Sequence, residues 1–125
     1  MKYHVTAALL LAVPAAASAQ TMNAERFHQR ATALKKKGAL ALFSMGEIKR
    51  LTAEGQAAGT RAAAMRRAAI AAGRQPRFCP PPGPARMDDS EFMTRLSAIP
   101  AAERARIDMT EAVVRIMAVK YPCRG

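Results

Sequence analysis

Tryptophan is absent from the 125 residues, Phe and Tyr together make up 5%, and cysteine occurs twice. Each shortage excludes something. Without large aromatic rings, a core has to come from close helix packing through Ala, Leu, Ile, Met and a few Phe, and such a core is thin. β-branched residues are sparse and no Asn-Gly or Asp-Gly dipeptide occurs, which argues against hairpins and sheet. Cys79 and Cys123 do not form a C-x-x-C, and His28 is the one imidazole beyond residue 19, so neither a zinc site nor a redox dithiol is expected. No G-x-S-x-G is present and no nucleophile and base pair stands out, so we expect neither an enzyme nor a cofactor. His28, beside Phe27, is read as a surface or edge residue.

Acidic residues are also few, with nine against twenty Lys or Arg and a net charge of +11. The excess is uneven. From Asn23 to Phe78 there are twelve Lys or Arg against three Glu, whereas from Cys79 to Gly125 there are seven against six acids. A basic N-terminal half favours anionic partners such as lipid head groups, envelope polymers or an acidic protein. Nucleic acid is not expected, because no aromatics for base stacking are interleaved with the arginines.

What is present begins with "MKYHVTAALLLAVPAAASA", residues 1–19. A basic start, an apolar run from Val5 to Val13, Pro14 and a closing Ala17-Ser18-Ala19 have the form of a secretory signal peptide cleaved after Ala19. The run is about half of the roughly 20 residues a membrane span needs, so the chain is not expected to be transmembrane after cleavage. Export also bears on the thiols. In an oxidising compartment two cysteines in a small domain are joined, and a Cys79–Cys123 bridge closes a loop of 45 residues counted inclusively. By chain entropy that loop contributes about 4 kcal/mol. Residues 20–125 suffice for one domain with one core.

Helix signals recur along that domain, so the expected fold is all-α, a bundle of about four helices. Asn23 can cap a first helix, with Glu25 in its first turn, Phe27, Ala31 and Leu34 on one face, three lysines at its end and Gly38 as terminator. "ALALF" reads as a helical turn or a buried connector. Ser44 and Glu47 have capping-box spacing, and a long helix over 44–73 follows. Its positions Ile48, Leu51, Gly55, Ala58, Ala62, Met65, Ala69 and Ala72 repeat in steps of three and four, a seam of mostly small residues that lets another backbone approach. Packing within the chain is the first reading of this seam and its Gly55–Gly59 pair, and a homodimer the second. Prolines 76, 80, 81, 82 and 84 make 74–87 a rigid, non-helical crossover. Asp88 with Glu91 opens a helix bearing Phe92, Leu96 and Ile99, which Pro100 interrupts. Asp108 with Glu111 opens the last helix, with Ala112, Val113, Ile116 and Met117 on its apolar face and Pro122 beyond its end. The acidic cluster Asp88, Asp89 and Glu91 is explained by capping. As contact residues for an anionic partner, charge singles out Arg61, Arg66, Arg67, Arg74 and Arg77.

The span from Phe78 to Cys123 resembles the closing half of the Rap/Tai family of small periplasmic immunity proteins. Cys79 with Pro81, the break at Pro100, the apolar helix over Val113 to Val119, and Tyr121-Pro122-Cys123 carry the resemblance. It implies an all-helical, disulfide-bonded periplasmic or secreted protein that blocks a cell-wall-degrading toxin delivered by type VI secretion. Acid-stress chaperones of the Hde type are similar in outline, being small, helical and held by one disulfide. They make a client-binding, envelope-stress role the competing expectation, and a basic protein bound to the anionic envelope surface is the third.

Overall fold

The computed structural model describes residues 21–84 and 86–124. The signal peptide expected over 1–19 lies outside them. The described residues form five α-helices in order: α1 (Ala24–Lys36), α2 (Met45–Ala71), α3 (Asp89–Ala98), the single turn α4 (Ala101–Arg104) and α5 (Met109–Lys120). A 3₁₀ helix, Gly38–Ser44, joins α1 to α2. The described residues contain no strand, only an isolated antiparallel bridge between Asn23 and Asp108. The fold is all-α, as expected.

Local chemistry sets most of the boundaries. The Asn23 side chain accepts from the amides of Glu25 and Arg26, Asp88 from Glu91, and Asp108 from Glu111, so each satisfies helix-start donors that have no partner within the helix. Gly38 (φ +54°) and Gly73 (φ +71°) turn the chain out of α1 and α2 in the left-handed region where glycine costs least. Pro100 starts α4 and Pro122 lies just beyond α5. One cap differs from expectation. Ser44 makes no side-chain cap, because a 3₁₀ helix leads into α2 and leaves Ser44 at φ −112°, ψ 36°, away from the extended geometry an N-cap uses. Its hydroxyl accepts from Lys37 instead, and Glu47 pairs with Arg30 of α1.

The core lies where α5 packs on α2, with α1 and α3 closing the sides. Leu96, Met109 and Val114 are its largest fully buried side chains, and each buried side chain of this size contributes about 1.5–3 kcal/mol. Phe27 of α1 meets Phe92 of α3 edge to face at 6.1 Å. From α2, Leu51, Ala58 and Ala62 are buried, but Met65 and Ala72 are exposed, so the seam is covered only along its first two-thirds. A strict heptad drifts roughly 20° per repeat on a straight helix, about 60° over the three repeats from Ile48 to Ala69, and this rotates the far end away from α5. A Cβ on Gly55 or Gly59 would meet nothing within 4 Å, so the close approach occurs at Ala58 and Ala62 rather than at the glycines.

Two stitches hold distant segments together. The Ala24 amide donates to the Ile107 carbonyl and the Met109 amide to the Met22 carbonyl, at 3.0 and 2.8 Å. The expected disulfide joins Cys79 to Cys123 with Cα atoms 4.9 Å apart, and beside it the Cys79 amide donates to the Tyr121 carbonyl at 2.8 Å. The proline-rich crossover is thereby clasped against the end of α5.

Candidate functional site

The five arginines singled out by charge do not form one cluster. Arg66, Arg74 and Arg77 line a depression of about 300 Å³ between the end of α2, the crossover and α5, with Met65, Phe78 and Val114 among its apolar walls. Arg61 and Arg67 are not part of it. Arg61 is partly buried and its Nε donates to the Thr110 hydroxyl of α5 at 3.1 Å, while Arg67 stays exposed on α2.

Within the depression the three arginines have different work. Arg66 is half-buried and its Nε donates to the Phe78 carbonyl at 3.2 Å, pinning the crossover to α2. Arg77 forms a two-pronged pair with Glu111, Nη1 to Oε2 at 2.6 Å and Nη2 to Oε1 at 2.7 Å, which ties the crossover to α5. The Arg77 guanidinium holds the Glu111 carboxyl below the usual carboxylate range, opposed by burial and helped by Arg115, and Glu111 in turn raises Arg77. Arg74 is exposed; its amide donates to the Ala69 carbonyl at 2.8 Å, and among the described residues its side chain makes no hydrogen bond or ion pair. Arg67, Arg74 and Arg77 are exposed and Arg61 and Arg66 half-buried, and Arg61, Arg66 and Arg77 also brace the fold, because each sits where a carbonyl, hydroxyl or carboxylate of a neighbouring segment faces it.

Arg77 also borders a second, more apolar groove of about 460 Å³. Ile99, Pro100, Ala118 and Val119 contribute to its lining, with Arg95 and Arg115 also around it. Val119, on α5, is among the exposed large apolar residues. The two concavities share Arg77, so an apolar floor and an arginine rim run side by side, one against α5 and the other against the end of α2. Aromatic, aliphatic and arginine side chains in this arrangement suit contact with a macromolecule.

Two features are not marked by any sequence pattern. Arg104, on the single turn α4, is 6% exposed, and its Nε donates to Glu25 at 2.7 Å while Nη1 reaches the carbonyls of Leu96, Ser97 and Ile99 at the end of α3. No spacing rule marks an arginine that caps one helix from another. His28 Nε2 lies 2.9 Å from the Ser97 hydroxyl, a nucleophile-and-base distance, with burial and then Arg104 pushing the imidazole down and Glu25 opposing them. Ser97 sits among the terminal carbonyls of α3, which are acceptors, whereas acyl-transfer chemistry needs donors aimed at a developing oxyanion.

Fold and surface together define a small all-α protein, clasped by one disulfide and offering concave, arginine-rimmed contact surfaces. Comparison with known proteins finds no matching family model, no similar curated protein and no similar solved structure.

Proposed function

We propose that this chain is an exported, non-enzymatic binding protein that neutralises a cell-wall-degrading toxin, the role its C-terminal resemblance implies. The observation that carries the reading is the paired concavity around Arg77, where the end of α2 and the proline-rich crossover meet the disulfide-clasped half that bears the resemblance. Bracing by Glu111 and the Phe78 carbonyl fixes that surface before a partner arrives, which lowers the ordering cost of association. Arg74 and Val119 are among the exposed side chains that a partner would meet, one on each side.

The test is a pull-down of the oxidised protein, starting at residue 20, from the periplasmic extract of its own organism, followed by calorimetry with whatever co-elutes in stoichiometric amount. A single exported hydrolase is expected, and Arg74→Ser with Val119→Asp should weaken its binding at least roughly tenfold without moving the melting temperature. Unchanged affinity would remove this surface from the reading, and the absence of any hydrolase would remove the toxin. A second reading, an acid-stress chaperone, is favoured by the four glutamates Glu25, Glu47, Glu91 and Glu111, all held below their usual range by cationic partners. Acid would loosen those pairs and expose apolar faces, so many weak clients captured only at low pH would select it.

A further inference from the structure

At the opposite end of α2 stands a surface that the toxin reading does not use. The 3₁₀ helix Gly38–Ser44 has three residues per turn, so its side chains form three columns. Ala41 and Ser44 share the inward column and are half-buried. Leu40 and Phe43 share a second, Leu42 and Met45 a third, and these face water: Leu40 is 65%, Leu42 70% and Phe43 88% exposed. The remaining exposed large apolar residues are Met65 and Ile70, five positions apart on α2, and the distant Val119, whereas these four fall within six consecutive positions.

Cations bracket the cluster. Lys35, Lys36 and Lys37 precede it and Lys49 and Arg50 follow, all exposed. The one acid between residues 35 and 50, Glu47, is held by Arg30, and Arg50 and Lys37 lie close enough to lower its carboxyl further. Lys37 Nζ donates to the Ser44 hydroxyl at 3.0 Å, tying the start of the 3₁₀ helix to its end and holding the apolar columns outward.

We propose that this corner is an attachment tip for anionic lipid bilayers. Phe and Leu at the apex would enter the boundary between head groups and acyl chains while the flanking Lys and Arg stay among the anionic head groups. Charge complementarity selects the occupant, because the apolar apex carries a collar of five like charges on both sides. From Met45 to Arg66 the helix rises about 30 Å at 1.5 Å per residue, so the tip and the arginine depression are well separated. The tip stands independently of the toxin reading.

The experiment is co-sedimentation of the oxidised protein, starting at residue 20, with vesicles of phosphatidylglycerol and phosphatidylcholine (about 30:70), compared with pure phosphatidylcholine, at low and high salt. Binding to the anionic vesicles is expected, weakened in salt and absent from the neutral ones. Leu42→Ser with Phe43→Ser should lower partitioning roughly tenfold. Lys35→Ala and Lys36→Ala should each cost roughly fivefold, the equivalent of about 1 kcal/mol per cation. These positions are exposed, so melting temperatures should match the parent and confirm that the variants fold. Failure to sediment with anionic vesicles, equal binding to neutral ones, or full binding by the Leu42→Ser, Phe43→Ser variant would each overturn the proposal. So would a Phe43-dependent protein complex in the absence of vesicle binding, which would reassign the tip to a protein partner. Hydrolase capture by the tip variants separates this outcome from that of the toxin reading, since they leave Arg74 and Val119 in place.

Discussion

Substituting Arg104→Met asks how much of this thin-cored domain depends on one buried cation. The methionine keeps an unbranched apolar stem in the space between α1, α3 and α4 but removes the guanidinium. Three carbonyls at the end of α3 and the Glu25 carboxylate then lose the guanidinium as a donor, although Leu96 keeps the Ile99 amide and Glu25 keeps Gln29. The side chains of the ion pair are 8% and 19% exposed, well inside the regime where removing one partner leaves an uncompensated group rather than a solvated one. Breaking such a pair costs about 3–5 kcal/mol, and because Glu25 keeps some contact with water the lower end, about 3 kcal/mol, is expected. Small domains have about 5–15 kcal/mol in all, so the loss should lower the melting temperature by roughly 10–25 °C. Urea unfolding of the oxidised protein at neutral pH, followed by far-ultraviolet circular dichroism, measures it directly. The midpoint should fall while the slope stays constant. In a Glu25→Gln background the same substitution should cost at least about 1 kcal/mol less, reporting the coupling within the pair. A variant within about 1 kcal/mol of the parent would refute the idea that Arg104 is a strut.

Two further outcomes follow from the same geometry. Cys79→Ser removes the clasp around a 44-residue separation and should cost about 4 kcal/mol, so oxidised parent and variant melting together would contradict the structural role of the bridge. Stability should also fall in acid, in two stages. His28, lowered by burial and Arg104, contributes stability that is complete above pH 6.5 and lost as pH drops through its folded value. Glu25, Glu47, Glu91 and Glu111, lowered chiefly by Arg104, Arg30, Lys120 and Arg77, contribute stability present above about pH 4.5 and lost below it. Urea midpoints measured from pH 8 to pH 3 check this, and His28→Gln should abolish the first stage alone; a flat profile would count against both.

Signals that act over three or four residues are legible in the amino-acid sequence alone. Asn23, Asp88 and Asp108 cap where their spacing says, Gly38 and Gly73 terminate, Pro100 and Pro122 break the chain, and the two cysteines meet. Where local spacing misleads, a long-range partner outcompetes the local one. Glu47 could close a capping box with Ser44, but Arg30, seventeen residues earlier, offers a charge-assisted pair that the cap cannot match. Of the two alternatives for "ALALF", the structure has the helical turn, on the surface, since among the described residues no other element covers its apolar columns. The arginines follow the same logic: charge identifies them, but only the packing of α5 and the crossover decides that Arg61, Arg66 and Arg77 are braces and Arg74 is not. Arg104 is illegible for the converse reason. Its burial depends on α1 and α3 converging on α4, which no window of sequence contains.

Asn23 carries a consequence for the order in which the chain assembles. Its Oδ1 accepts from the amides of Glu25 and Arg26 while its Nδ2 donates to the carbonyls of Ala105 and Ile107, over eighty residues away. The start of α1 is therefore finished only when the entry to α5 is in place. On a growing or emerging polypeptide, α1 and α2 must wait for nearly the whole remaining length before that contact can form. Such long-range closure slows folding relative to a bundle of sequential hairpins, and it leaves the apolar faces of α1 and α2 without their final cover for the longest time.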